Sequence, residues 1–424
     1  MRKKTMRAAA VLLACVLLGG CGNEAVPANG GSVTDAPLAS PLELPGDDTL
    51  APADATVAFL ANYMTQPAPD YTLFRAEAEA KGIYVSANIA GTEYVAKRFA
   101  LVRETELNAM VIDVKHDNGF ITFKNKVPTA DALGIVYNLI PNFDALMAQL
   151  KEEGIYTIAR FVVFKDSTIV EQRPDFAIRD TSGANGGVYK ERKAGGYGSA
   201  WLNPYNREVW EYIVDLAVEV AALGFDEIQF DYVRFPTDAT TKYEDFGDTG
   251  GMSKVEILTA FSQYAYERIS PTGVKLSADI FGTVINSQLD ASLIGQDFVE
   301  LSKIYDVVCP MIYASHYAQG SFGIADPDLQ PYDVVYKSMK LAVEKLAEIP
   351  AGQHVAVVRP WLQAFTASYL STPYQQYEGP QVREQIQACY DAGLTEWLLW
   401  NQDNLYPADG LLPAEDFTPA EAAE

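Results

Sequence analysis

A join of helix, glycine and strand recurs along this chain and constrains its fold more than any other feature. Residues 77–82 lead into 83–88, and 148–154 into 155–160. Residues 220–224 lead into 225–231, and 389–393 into 394–401. Glycine suits the left-handed residue that ends a helix before the chain turns into a strand. The helices before these joins read as amphipathic. In one, Val209, Trp210, Ile213, Val214, Leu216, Ala217 and Val220 fall at helical spacing. Asn142 and Pro380 suit helix starts. Short apolar runs give strands at 83–88, 109–115, 155–163, 225–231, 274–280, 305–312, 354–359 and 395–400. A helical pattern follows each of the first seven. Alternation of this kind argues a parallel sheet, and eight units argue a (β/α)8 barrel over a doubly wound sheet. A helix at about 68–81 is expected to close the bottom.

Residues 1–20 read as a lipoprotein signal peptide. Arg2, Lys3, Lys4 and Arg7 precede an apolar stretch from Ala8 to Leu18 that is too short to span a membrane comfortably. Cys21 follows Gly19 and Gly20 directly, which resembles a bacterial lipoprotein and implies cleavage before Cys21 and acylation of its thiol. The expected location is therefore the outer face of a membrane, held by lipid alone. Residues 21–66 are rich in Ala, Pro, Gly, Asp and Ser and read as a flexible linker. Residues 67–424 suffice for one large barrel domain.

Charge bounds the partners. The chain carries 32 basic and 56 acidic residues, and no basic patch stands out. Such a surface repels nucleic acid. Cys309 and Cys389 read as buried thiols rather than a disulfide or a zinc site. With only three His, far apart, no transition-metal site is expected, although calcium on loop carboxylates stays open. No cofactor motif is present. The sequence does not fix an oligomeric state.

The strand ends carry the chemistry. Strand two ends at Asp113, Lys115, His116 and Asp117, and strand three carries Arg160. Strand four ends at Asp231 and Arg234, and strand five at Asp279. Strand six ends at Tyr313 and His316, strand seven at Arg359 and Trp361, and strand eight at Trp400 and Asn401. Carboxylates, Arg, His and aromatics on one rim suit a sugar, which presents both hydroxyls and apolar C–H faces.

Five motifs in order sharpen this reading. They are Val111-Ile-Asp-Val-Lys-His-Asp-Asn-Gly119, Phe225-Asp-Glu-Ile-Gln-Phe-Asp-Tyr-Val-Arg-Phe-Pro236, Ser277-Ala-Asp-Ile-Phe-Gly282, Cys309-Pro-Met-Ile-Tyr-Ala-Ser-His-Tyr317 and Arg359-Pro-Trp-Leu-Gln363. From about residue 80 to 405 the chain resembles a glycoside hydrolase domain family formerly grouped as a domain of unknown function. The resemblance implies a TIM barrel distantly similar to the alpha-amylase clan. It implies Asp231 as nucleophile, at the end of strand four. Asp279 stands where that clan carries its acid, but as the shorter Asp rather than Glu. Ala314 stands where Pro is expected.

The expected activity is hydrolysis of a cell-envelope or extracellular polysaccharide by paired carboxylates, Asp231 and Asp279. Asp113, Lys115, His116, Arg160, Arg234, Tyr313, His316, Arg359, Trp361, Trp400 and Asn401 are the expected substrate-binding residues. Two alternatives stay open for the carboxylates. Asp279 also fits a helper bonded to Arg234 or Tyr313, and Asp113 an ion pair with Lys115 or Arg160. Two further functions stay open: a barrel that binds glycan without cutting it, and a metal-dependent hydrolase or deacetylase.

Overall fold

The computed structural model describes residues 78–193, 196–238 and 241–416. The expected lipidation site at Cys21, the signal, the linker and most of the expected bottom helix lie outside the described residues. Residues 78–80, the described end of that helix, are not helical, and Lys81 already belongs to a strand.

Eight parallel strand positions close on themselves. They are β1 (Lys81–Val85), β2 (Ala109–Lys115), β3 (Tyr156–Val162), β4 (Glu227–Asp231), β5 (Lys275–Phe281), β6 (Val307–Ile312), β7 (Trp361–Gln363) and β8 (Trp397–Trp400). Each pairs with its neighbours in sequence, and β8 pairs back onto β1. This is the expected (β/α)8 barrel, with strand boundaries shifted by one to a few residues. The seventh position differs most. Val357–Val358 pairs with β6, the ladder breaks at Arg359 and Pro360, and it resumes at Trp361. Proline has no N–H to donate, so it interrupts the ladder.

The helices α1 (Ala96–Glu104), α2 (Phe143–Glu152), α3 (Arg207–Ala221), α4 (Lys254–Ile269), the short α5 (Phe298–Ser302), α6 (Pro331–Leu346) and α7 (Gly379–Asp391) follow β1 to β7 in turn. After β8 the described residues hold only 3-10 turns. On α3 every apolar residue of the expected stripe is buried. Three of the expected glycine joins are left-handed turns between helix and strand, Gly154 (φ 65°), Gly224 (φ 93°) and Gly393 (φ 95°). Gly82 is different. It lies inside β1, where a Cβ would meet Leu398 Cδ2 at 2.8 Å. Its role is close packing, not capping.

The pleat sorts residues into two layers. Met110, Ile112 and Val114 of β2 pack outward among the helices, and Ala109 and Val111 pack inside the barrel. The inside is filled at one end by ionic groups. Arg359 donates from Nη1 to both Glu227 oxygens at 2.9 Å and from Nε to Glu396. Tyr156 and Ser277 also bond Glu227. Glu227 and Tyr156 open their strands, so this cluster plugs the N-terminal end. Cys309 and Cys389 are buried free thiols, as expected.

Candidate active site

The C-terminal ends of β2 to β5 bring four Asp residues together, three of them around one guanidinium. Arg160 on β3 donates from Nη1 to Asp113 at 2.8 Å and from Nη2 to Asp117 at 2.7 Å. It reaches Asp231 Oδ2 twice, from Nε at 2.9 Å and from Nη2 at 2.6 Å. The three carboxylates outweigh burial and hold the guanidinium firmly charged. Tyr84 donates to the second oxygen of Asp113 at 2.6 Å. Lys165 adds a second cation beside Asp117 at 3.4 Å. Burial pushes Asp117 up, but Lys165, Arg160 and His116 outweigh it and hold the carboxyl well below the usual range.

Asp231 ends β4. Its Oδ1 accepts the Tyr232 backbone N–H at 2.6 Å. Tyr232 sits at φ 53°, a left-handed conformation that a bulky residue adopts only under constraint. The turn thereby locks the Asp231 carboxylate from its own backbone while Arg160 holds the opposite oxygen.

Asp279 is the counterpart without a direct ion pair among the described residues. Phe230 and Ala278 are the last paired positions of β4 and β5, and Asp231 and Asp279 each follow by one. Asp279 is buried, and its Oδ1 accepts Trp361 Nε1–H at 2.7 Å. Burial first, and then the negative charge of Asp231, push its pKa well above the ordinary carboxylate range. The Trp361 bond and the more distant charge of Arg160 pull the other way and do not prevail. Asp279 thus favours its protonated form beside the Arg160-bound Asp231. The indole occupies Oδ1, which leaves Oδ2 to carry the proton.

Aromatic rings wall the opposite side. Tyr313 packs edge-on against Phe365 (5.8 Å between centroids) and His316 (5.0 Å), and lies 5.7 Å from Trp400. Burial pushes its hydroxyl well above the ordinary phenol range. Burial lowers His316 to about 4, so the ring is neutral at ordinary pH. Its Nε2 has no hydrogen-bond partner among the described residues.

Asp231, Asp279, Asp113, Arg160, Tyr313, His316 and Trp400 therefore gather at one mouth. Asp113 takes the ion pair with Arg160, not with Lys115. His116 stands on the rim, stacked on Phe120, and its Nδ1 accepts the Asn118 backbone N–H. Arg234 lies against the rings of Trp201, Tyr232 and Phe281 and bonds the Phe235 carbonyl, so it braces the turn after β4.

Four of the expected contact residues are corrected. Lys115 is fully buried and paired with Asp166 at 2.6 Å, because an irregularity after Asp113 turns it outward towards α3. Arg359 points down to Glu227 and Glu396 at the closed end. Trp361 is buried as the donor to Asp279 and offers no open stacking face. Asn401 spends its side chain on the Ala364 carbonyl and the Asp403 N–H, organising the loop after β8. Sequence reasoning missed Tyr84, Tyr232 and Phe365. Tyr84 lies on the inward face of β1, which period-two alternation from Gly82 would have indicated.

Comparison with known proteins now decides the family. Residues 82–406 match the family described as "Putative glycosyl hydrolase domain". The chain belongs to that family. Among curated proteins none matches it. Among solved structures, a hypothetical protein from Ruminiclostridium thermocellum is 34% identical, covering 46% of this chain and 96% of its own, with a TM-score of 0.41. The glycoside hydrolase domain of PgaB (BpsB) from Bordetella bronchiseptica is 14% identical, covering 77% of this chain and 95% of its own, with a TM-score of 0.56. That likeness shares the barrel fold. An alpha-amylase from Lactobacillus plantarum is 13% identical over 76% of this chain and 70% of its own, with a TM-score of 0.47.

Proposed function

We propose that the protein hydrolyses glycosidic bonds in a polysaccharide, with Asp279 as general acid and Asp231 as nucleophile. The observation that supports this most is the contrast between two adjacent carboxyl groups. Asp231 is held by Arg160 in a direct ion pair, whereas Asp279 is buried without one and pushed upward. Glycoside hydrolysis needs one carboxyl group to give a proton to the leaving oxygen and another to engage the anomeric carbon. Asp279 Oδ2–H serves the first step. Asp231 Oδ1, which accepts one backbone N–H, keeps a lone pair for the second.

The remaining charges suit the transition state. Asp113, Asp117 and Asp231 carry three negative charges, and Arg160 and Lys165 two positive ones. The mouth is left with a net negative charge that stabilises a developing oxocarbenium ion. Neighbouring parallel strands stand about 4.8 Å apart, a spacing from which short side chains meet either the ~5–5.5 Å gap of retaining enzymes or the ~6.5–9.5 Å gap of inverting ones. Proton NMR of the first-formed product reads the stereochemical outcome directly.

A metal-dependent reading fits the residues less well. Arg160 fills the space between the three carboxylates, and no group of His, Cys, Asp or Glu among the described residues is arranged to hold a metal ion. The lipoprotein signal and Cys21 support action at the outer face of a membrane. Reducing-end release from a panel of polysaccharides tests the activity: cleavage of at least one supports it, and binding with no release favours a non-catalytic glycan-binding barrel.

A further inference from the structure

The loop after β7 begins inside the active-site aromatic cluster and runs outward from it. Phe365 is edge-on to Trp400, at 5.2 Å and 89°. Four residues later Tyr369 is 46% exposed, yet its hydroxyl lies 3.3 Å from Ser315 Oγ, between Tyr313 and His316 in sequence. Tyr374, further along the same loop, is 42% exposed. Exposed single aromatics are ordinary, but the bracing beneath this loop is not. Gln363 Nε2 bonds the Phe365 carbonyl and Asp328. Asp328 also accepts from the Gln375 N–H and, at its carbonyl, from Tyr377. Thr366 Oγ1 accepts the Tyr377 N–H, which ties the two ends of the loop together. Asp328 and Gln363 are both buried. A loop held this firmly presents an aromatic ring to solvent at little further entropic cost on binding. A ring face of this kind suits the C–H face of a pyranose.

We propose that residues 364–377 form a second sugar-binding subsite, with the Tyr369 ring as platform, for a sugar of the substrate chain beyond the one attacked. This rests on the glycoside hydrolase reading and deepens it, because it makes the substrate an oligosaccharide or polymer rather than a single glycoside. The platform relies on ring contact and not on ions, so the sugar it takes is uncharged.

Binding separates this claim from catalysis. The probes are cello-, malto-, xylo- and N-acetylchito-oligosaccharides from disaccharide to hexasaccharide. They are titrated calorimetrically into the full-length chain carrying Asp231→Asn, with and without Tyr369→Ala. In at least one series affinity should rise with chain length, and Tyr369→Ala should remove about 2- to 10-fold of it for the longer members only. Tyr369→Phe, which keeps the ring, should retain most of the gain. Equal affinities with and without Tyr369→Ala would overturn the subsite. So would an equal loss at every length, which would mark a general disturbance of the mouth. Absence of binding by every series would overturn the uncharged-sugar assignment, whereas the hydrolase reading stands or falls separately on reducing-end release by the unsubstituted chain.

Discussion

Two aspartates on neighbouring strands sit in opposite surroundings: Arg160 pairs with Asp231, whereas burial and then the charge of Asp231 push Asp279 upward. Arg160 holds Asp231 in an ion pair, and Trp361 holds Asp279 in place through one hydrogen bond. Removing the indole donor with Trp361→Phe deletes an interaction that favours the ionised form of Asp279. The alkaline limb of kcat/KM against pH should therefore move upward. A limb that stays in place would contradict the assignment of Asp279 as acid. The same pKa has a stability consequence. Above about pH 3.9 an unfolded Asp is ionised while Asp279 in the folded protein keeps its proton, so the unfolded state binds fewer protons. The stability associated with Asp279 is complete below that pH and is lost as pH rises towards the folded value, at about 1.4 kcal/mol per unit. Asp279→Asn should remove this loss, so its melting temperature should gain on the parent's as pH rises from 4 to 7, read by thermal melts across that range. Clear apolar patterns located both strands, so both carboxylates were legible near strand ends: Asp231 ends β4, and Asp279 lies two residues before the end of β5. It could not assign Trp361 or Arg359, since both face inward and only their depth along the barrel separates a donor at the mouth from an ion pair at the floor.

At the scale of elements, the broken seventh strand carries that difference. Arg359 precedes Pro360 and Trp361 follows it, so one short segment serves both ends of the barrel. Arg359→Met would leave Glu227 and Glu396 buried without their cation. Breaking a buried pair in this way should cost about 3–5 kcal/mol, measured by denaturant unfolding. KM of the protein that does fold should be unchanged, whereas a raised KM would restore Arg359 as a contact residue. The long excursion between β4 and α4 carries a smaller titration. Burial raises Glu244 to about 7, against the opposing pull of Lys254, to which it is bonded at 3.1 Å. Most helices and strands were legible from period and glycine punctuation. Gly82 misled, because close strand packing and helix capping both select glycine and only the neighbouring Leu398 tells them apart. Lys115 misled because an irregularity in the β2 ladder reverses the face that alternation assigns.

For the whole molecule, the fold follows from eight repeated units, and the family match spans most of them. Location rests on the first residues of the chain. Cys21→Ser should shift the expressed protein out of the membrane fraction or leave it unprocessed, as read by fractionation and mass spectrometry of the mature terminus. A mature terminus elsewhere, without lipid, would remove the anchor from the account. The acidic balance of the chain, 32 basic against 56 acidic residues, agrees with an uncharged glycan better than with a polyanion. The central claim is that Asp231 and Asp279 form a working pair, and one measurement reaches it most directly. The initial rate of reducing-end release is compared between the parent and Asp231→Asn on a glycan the parent cleaves. The substitution keeps size and removes the ionisable group, so the rate should fall by at least ~10²-fold with the melting temperature little changed. Full activity in the folded Asp231→Asn protein would contradict the account.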